Sequence, residues 1–584
     1  MRHFQRWLLT ILLGLLLATQ AQTACRVIKE DTEKSFRFVV HGACTKEEKH
    51  LHANVLYSAA TSPLPLGNVK TVEIRNALIV DPLSLSDYGE CVSRISLINC
   101  VVQDPVDFSR VHFRDRIDLS GSTFNSTVTW DSATADEDVV LRSTVFRGPV
   151  YFRDATFAAD LLCDQARFGN EADFNQMSVA GSAAFTGAMY EKEVSFAGAH
   201  IHQAFFDHAA FKGSAGFPSA EFERTARFGN AMFRDGADFT SVQVRGTAFF
   251  DGAVFGRSAM FSHAQVAEDA FFEKALFLGT ADFRGARIRA EADFTQASFD
   301  GDATFARIQV GGTGRFVAAR FKREAEFSLS HFGGDVLLQR ATLGVRTVFR
   351  NSQMRTLVVG AGKGALRIRG AFDLHGCVFG ALDPPSAWGA LLSGLRPYDR
   401  QLHMRLESLF RTTGQDSLAD EVYFSRRGHE ARLRTEHDLR LLKEADGLGE
   451  RLAAILVLEW HRAGDWGWHM TVGYGVRPLW LLYWFASFVA LGTVVFMQRG
   501  ATYREPLSPH HLGEKQRNLG FRDAFWVSLS AFLPVSIPAG GGRKPSSGAF
   551  MRVGFTIWWT VLRLAGWVLV PVAIAALSGL LLRR

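Results

Sequence analysis

Apolar residues in the middle of the chain recur with a period that no α-helix can use. Three columns of large residues start at Phe206, Phe211 and Phe217, and a fourth starts at Phe222. Each column repeats every 22 residues, and inside one repeat the apolar steps alternate between five and six residues. An amphipathic helix would need a period of about 3.6 residues. The pattern therefore predicts short extended segments separated by corners.

A second set of columns lies two residues before the first and consists mostly of alanine. Its first members are Ala204, Ala209, Ala215 and Ala220. Residues i−2 and i point to the same side of an extended backbone, so each small and large pair shares one face. Four such faces predict a mainly β coil of 22 residues, in which successive coils stack and bury ladders of like residues. The fourth column is β-branched in four successive coils, so the four faces are not equivalent, as its residues show: Val244, Val266, Ile288 and Val310.

The unit of a small residue, any residue and Phe resembles the pentapeptide-repeat family, which implies a right-handed β-helix. The family's plain form steps by five, so the alternation here predicts wider corners at every second step. The pattern extends upstream less regularly to Phe108, and a polar insertion from Asp131 to Asp138 is expected to interrupt it. The β-helix is expected over residues 101–384. Roughly twelve coils, at about 4.8 Å per coil, would make a rod of about 60 Å.

The first residues have the composition of an exported segment. A basic start, an apolar run from Trp7 to Ala18 and small residues up to Ala24 predict a signal peptide over residues 1–24. In an oxidising compartment four cysteines could form two disulfides, and the sequence leaves the pairing open. Residues 25–100 are therefore predicted to form a disulfide-stapled cap, with these candidate cysteines: Cys25, Cys44, Cys91 and Cys100.

The C-terminal third changes to helical patterning. Leu402, Leu406 and Phe410 recur at helical spacing, and interleaved charges predict a solvated helical hairpin over residues 385–465. Residues 466–584 are predicted to be a membrane module. We expect spans near 478–498 and 564–582, with a short interfacial or re-entrant helix over 524–539. The alternative is that this short segment forms a third span.

The same layout resembles bacterial membrane-anchored pentapeptide-repeat proteins. There the repeats precede a helical hairpin, a Gly-Tyr-Gly-x-x-Pro stretch and a two-helix membrane module. Here that stretch is Gly473-Tyr474-Gly475-Val476-Arg477-Pro478. The resemblance and the signal peptide imply a bacterial inner membrane, with the rod on the periplasmic side. The expected partners are the lipid bilayer and an unknown protein.

Charge and motifs favour a scaffold or binding protein over an enzyme. Residues 146–356 hold 23 Lys and Arg against 24 Asp and Glu, and a neutral rod does not predict nucleic-acid binding. We find no catalytic or metal-binding motif and expect no cofactor; His200, His202 and His208 are expected to face water. Thr471 to Gly475 spell a potassium-channel filter, although a filter follows a pore helix between two spans. The alternative function is a transport or sensing module with a degenerate, channel-like C-terminal region.

Overall fold

The computed structural model describes most of the chain. The described residues are 26–32, 35–41, 44–54, 71–395, 398–445, 447–473, 480–497, 502–506, 514–518, 520–533, 545–546 and 549–577. The predicted signal peptide and Cys25 lie outside them. The chain divides into two units, Met1–Leu402 and His403–Arg584.

The first unit is a β-solenoid of about 14 turns. Its strands are mostly two residues long and pair in parallel with strands one coil away, as Ala226–Arg227 does with Ala248–Phe249. One coil consists of four such strands: Ala226–Arg227, Met232–Phe233, Ala237–Asp238 and Gln243–Val244. The coil length predicted from the sequence is confirmed. We name the faces of the coil A to D after the columns that start at Phe206, Phe211, Phe217 and Phe222.

Aromatic rings fill the interior in continuous stacks. The ring of Phe261 on face C lies between Phe239 and Phe283, with centroid distances of 4.9 and 4.8 Å. The ring planes agree within 3° and 2°. Phe261 also meets Phe250 of face A edge to face at 5.2 Å. The stacking predicted along each Phe column is therefore confirmed, and the columns of faces A and C contact each other in the T-shaped geometry that aromatic pairs favour.

Two kinds of corner explain the alternation of five and six. At the five-residue steps, the amide of Ala209 donates to the carbonyl of Phe206 at 3.1 Å. His208 lies between them with φ of 59°, as the third residue of a type II turn does. The six-residue steps are open bends stacked directly on the coil below. A Cβ at Gly279 in such a bend would collide with the carbonyl oxygen of Arg257.

The predicted insertion at residues 131–138 is wrong. The regular register continues through it, because Trp130 and Ala135 take the places of the large residues. The Trp130 ring stacks on Phe152 at 5.6 Å, and Ala135 pairs with Phe157 one coil later. The upstream pattern is marked mainly by Phe, so Trp and Ala at these places resemble a break.

The real irregularity of the coil lies further on. Val179 pairs with Ile201, which lies a full repeat of 22 residues further along the chain. Ala183 pairs with Ala204, which lies one position short of a full repeat. The corner after Ile201 is therefore shorter than its neighbours by a single residue. The strand His200–Phe205 runs through this corner without a bend.

The N-terminal end of the solenoid begins earlier than expected. Ser35–His41 pairs in parallel with Thr71–Arg75, so coil-like pairing starts well before residue 101. The first strand still carries inward Phe36 and Phe38, but from residue 72 to residue 102 the large buried residues are Val, Ile and Leu, which hid these coils from the Phe pattern. Arg26–Asp31 pairs antiparallel with Ser35–His41 and covers the end of the sheet, which protects an exposed edge. The remaining elements of this end are α1 (Lys46–Lys49) and the strand His50–His52.

Two of the four candidate disulfide cysteines are reduced thiols. Cys44 is disulfide-bonded, but Cys91 and Cys100 are buried thiols, which corrects the expectation of two disulfides. Cys91 pairs with Phe113 in an inward column, and the Cys100 amide donates to Ser122 Oγ one coil later at 2.9 Å. Both are core residues of the coil. Burial raises the pKa of the Cys100 thiol to about 12.

The solenoid ends near residue 383. An expanded coil precedes the end, since the partner of Thr342 is Arg367, three positions beyond a regular repeat. The 3-10 turn Gly362–Gly364 lies within this longer coil. Val378–Asp383 is the last strand of the solenoid. The turn Pro385–Ala387 and helix α2 (Trp388–Ser393) follow it.

Six further helices and three short strands complete the described chain. The helices are α3 (Arg400–Thr412), α4 (Asp416–Glu444), α5 (Leu448–Val472), α6 (Trp480–Phe496), α7 (Phe521–Phe532) and α8 (Ala549–Leu577). The strands are Thr502–Pro506, Glu514–Asn518 and Pro545–Ser546. Helices α4 and α5 form a hairpin, and α5 continues beyond residue 465, where the hairpin was expected to end.

The last three helices pack around small residues. Ser528 on α7 donates to the carbonyl of Val489 on α6 at 2.9 Å, and Gly492 leaves the room that this contact needs. In the described part of the chain, one helix is long and apolar enough to cross a membrane, over Ile557–Ile574. This span lies within α8 and includes Arg563. The helix therefore starts before the expected residue 564, which was the first residue of the uncharged run.

Candidate binding groove on face D

Face D has a thinner interior than the other three faces. Its column carries Val244, Val266 and Ile288 where the neighbouring columns carry stacked Phe. A void of about 20 Å³ lies beside these side chains, with Phe250 and Phe272 on its other side. Its lining is wholly apolar, so it offers no polar ligand a partner. The smaller residues therefore change the packing of face D without opening the core.

A groove of about 480 Å³ runs along the outside of the same face. It is lined by the residues on either side of column D, because neighbours of an inward strand residue point outward. Stepping by one coil places amide and guanidinium groups in register along the groove. Its principal polar residues are Gln243, Gln265, Gln309, Arg245, Arg287 and Arg289.

The groove has an unbalanced positive charge. No carboxylate is among its lining residues. Among the described residues, Arg287 and Arg289 form no ion pair, and Arg245 reaches only Glu221 beyond one end, at 3.6 Å. Elsewhere on the solenoid many basic residues pair with acids one coil away, as Arg227 does with Asp207 at 2.9 Å, although others such as Arg234 and Arg320 form no ion pair among the described residues. Unpaired guanidinium groups are strong donors for carboxylate or phosphate groups.

The floor of the groove alternates in height. The position after column D is Arg245, Ala267, Arg289 and Gly311 in successive coils. Ala267 therefore leaves a gap between two long arginine side chains, and Gly311 leaves a second gap after Arg289. A Cβ at Gly311 would collide with the carbonyl oxygen of Arg289, so the coil stacking itself requires a low floor there.

A histidine and glutamate cluster lies further up face D. His200 Nε2 and His202 Nδ1 lie 2.9 and 2.8 Å from the two oxygens of Glu223. Hydrogen bonds from both imidazoles lower the pKa of the Glu223 carboxyl group. His208 does not join them, because it occupies a turn. Across the described residues, no three His, Cys, Asp or Glu side chains are placed to hold a metal ion.

The filter-like sequence does not have a filter's conformation where it is described. Thr471 and Val472 form the last turn of helix α5. Gly473 ends that helix in the left-handed region, with φ of 53°, which is a common role of glycine at a helix C-terminus. Tyr474 and Gly475 lie outside the described residues. A selectivity filter would present backbone carbonyls from a loop.

Comparison with known proteins agrees with this architecture. Residues 272–320 match a family model of pentapeptide repeats, in nine copies. No curated protein matches the chain, and no solved structure does. The matched segment lies inside the solenoid and includes Arg287, Arg289 and Gln309 of the groove. Pentapeptide repeats therefore build the coils that carry this part of the groove.

The sequence analysis missed the groove because it followed inward residues only. The signal was present in the outward column between the small and large residues of face D. Stepping by 22 from Gln243 gives a run of polar residues without an acid: Gln265, Arg287, Gln309, His331 and Gln353. Glu221 lies 22 residues before Gln243, so this acid occupies the preceding position of the same column, just outside the run.

Proposed function

We propose that the protein is a non-catalytic scaffold that binds an acidic protein segment along face D while its C-terminal helices hold it in a membrane. The groove carries this proposal. It combines three arginines, no lining carboxylate and a floor lowered by Ala267 and Gly311. A right-handed pentapeptide-repeat coil presents these groups on a rigid surface, so little entropy is lost when a partner binds.

The lining chemistry favours an extended acidic peptide. Arginine binds carboxylates through two parallel hydrogen bonds. Glutamine amides can both donate and accept, so Gln243, Gln265 and Gln309 suit the backbone groups of an extended chain. The gaps at Ala267 and Gly311 leave room for that backbone. The four coils from Gln243 to Gln309 extend over roughly 14 Å, about the length of a tetrapeptide.

Sequence charge supports one orientation of the chain in the proposed bacterial inner membrane. Helices α6 and α8 are the proposed spans, and α7 lies between them in the chain. The segment that joins α6 to α8 contains seven Lys and Arg residues between Arg499 and Lys544, and Arg552 follows in the first turn of α8. The positive-inside rule favours the cytoplasm for this segment. With two spans, the solenoid then lies on the periplasmic side, as the predicted signal peptide requires.

Titration with an acidic peptide tests the binding proposal. The full chain in detergent or nanodiscs is mixed with a fluorescent oligoglutamate, and anisotropy is recorded. We expect the double variant Arg287→Glu/Arg289→Glu to abolish binding, because it replaces two attractive charges with two repulsive ones. The matched control is Arg320→Glu on face B, which should leave affinity unchanged. Equal loss in the control would assign the binding to net charge, and undiminished binding by the double variant would reject the groove.

A transport or sensing module is the second candidate. The order of α6, short α7 and α8, with α7 packed against both neighbours, is one observation that favours it. Ion flux through the protein in vesicles would distinguish the two functions. A selective flux that survives removal of the groove arginines would favour transport, and its absence together with peptide binding would favour the scaffold.

A further inference from the structure

Helix α5 faces its partner α4 with polar side chains. His461 Nδ1 lies 2.8 Å from Asp438 Oδ2 of α4, and Asp438 is buried. One turn further, Asp465 pairs with Arg434 of α4 at 3.2 Å. A buried carboxylate is costly unless it is paired, so these contacts hold the polar side of α5 against α4.

The opposite face of α5 is mainly apolar and exposed, although Glu459 also lies there and pairs with Arg462 at 3.3 Å. Leu448, Leu452, Leu456 and Trp460 follow one another at four-residue spacing and are 82%, 62%, 71% and 79% exposed. This spacing places them on one side of the helix. A soluble helical hairpin would have the reverse arrangement, with its apolar stripe between the helices.

The apolar face continues onto the helix that follows. Trp484 of α6 donates its indole N–H to the carbonyl of Met470 at 2.7 Å, and its ring meets Trp466 at 6.5 Å. The start of α6 therefore packs against the end of α5. Leu482 and Tyr483 on α6 are 59% and 74% exposed, and α6 contains no charged residue. Tryptophan and tyrosine at such a junction are typical of the membrane interface.

We propose that α5 lies in the plane of the membrane surface, with the Leu448 to Trp460 face in the lipid and the polar contacts with α4 directed toward water. This inference rests on the proposed anchoring through α6 and α8. A lipid surface fits better than a second copy of the chain, because the apolar face is continuous with the uncharged surface of α6. The helical neck would then be a membrane-bound platform, which differs from the solvated hairpin expected from its total charge.

Fluorescence quenching by brominated lipid tests this placement. Single cysteines at Leu456, Glu450 and Val568 are labelled with an environment-sensitive fluorophore in the full chain, reconstituted in nanodiscs. Wild-type protein treated in the same way reports any labelling of native thiols. We expect bromine near the glycerol end of the acyl chains to quench the label at Leu456 strongly and the label at Glu450, on the polar side of α5, weakly. Bromine near the chain ends should quench the label at Val568 within α8.

The three positions separate the two proposals. Quenching at Val568 without quenching at Leu456 would overturn the surface placement of α5 and leave the anchoring intact. Quenching at neither position would reject the anchoring itself. Disulfide crosslinking between copies through Leu456→Cys, without lipid quenching, would show that a second copy covers the face and would also overturn the proposal.

Discussion

The Phe columns and column D solve the same packing problem with different side chains. On face C, Phe261 stacks between two rings at 4.8 and 4.9 Å. On face D, Val266 and its neighbours leave a void of about 20 Å³. The backbone pairing is the same in both columns, because each strand pairs in parallel with the equivalent strand of the next coil. The register of the coil therefore depends on backbone hydrogen bonding and on small residues at the corners. Ring stacking adds stability on the faces that carry Phe.

The largest expected effect is the loss of one stacked ring. Phe261→Ala removes contacts to Phe239 and Phe283 and leaves a cavity, so we expect a loss of about 3–5 kcal/mol in the free energy of unfolding. Chemical denaturation of the full chain, followed by circular dichroism of the β signal, measures it. Phe261→Leu is the control and should cost less, because Leu338 and Leu343 fill equivalent places and are fully buried. An unchanged midpoint for Phe261→Ala would show that stacking contributes little.

Enlarging a side chain in column D should increase the free energy of unfolding, in contrast to the loss expected for Phe261→Ala. Val266→Ile adds one methyl group beside a void of about 20 Å³, so we expect a gain of about 0.5–1 kcal/mol. Val266→Ala in the same measurement should cost about 1–2 kcal/mol, which is less than Phe261→Ala. A destabilising Val266→Ile would mean that the void cannot accept the methyl group and that column D is already tightly packed.

The sequence predicted the coil well because residues one period apart occupy equivalent places in neighbouring coils, so the period equals the number of residues in a coil. Its errors have physical causes. Cys91 and Cys100 were assigned to disulfides because cysteine usage suggested an oxidising compartment, yet a step of 22 from Phe113 and Ser122 places both in the core. Residues 131–138 resembled a break because Trp and Ala replace Phe there.

The groove and the outward face of α5 needed the structure for a different reason. Both depend on which outward-facing residues have partners. The sequence period shows to which side a side chain points, but it does not show which groups that side chain contacts. Arg289 in the groove and Arg227 on face A are equally outward by pattern, but only Arg227 has an acid within reach among the described residues. In the same way, total charge suggested a solvated hairpin, whereas the structure places the polar residues of α5 against α4.

The smallest expected effect concerns the ion pairs on the outside of the coil, which accompany the Phe stacks inside. Lys212 Nζ lies 2.8 and 2.9 Å from the two oxygens of Glu191 one coil away, and both side chains are about 40% exposed. Exposed pairs of this kind contribute less than about 1 kcal/mol. We therefore expect a double-mutant cycle of Lys212→Ala and Glu191→Ala to give a small coupling energy that salt removes. A coupling comparable to the loss in Phe261→Ala would reverse the comparison, because the coils would then be held together mainly by charge on their surface.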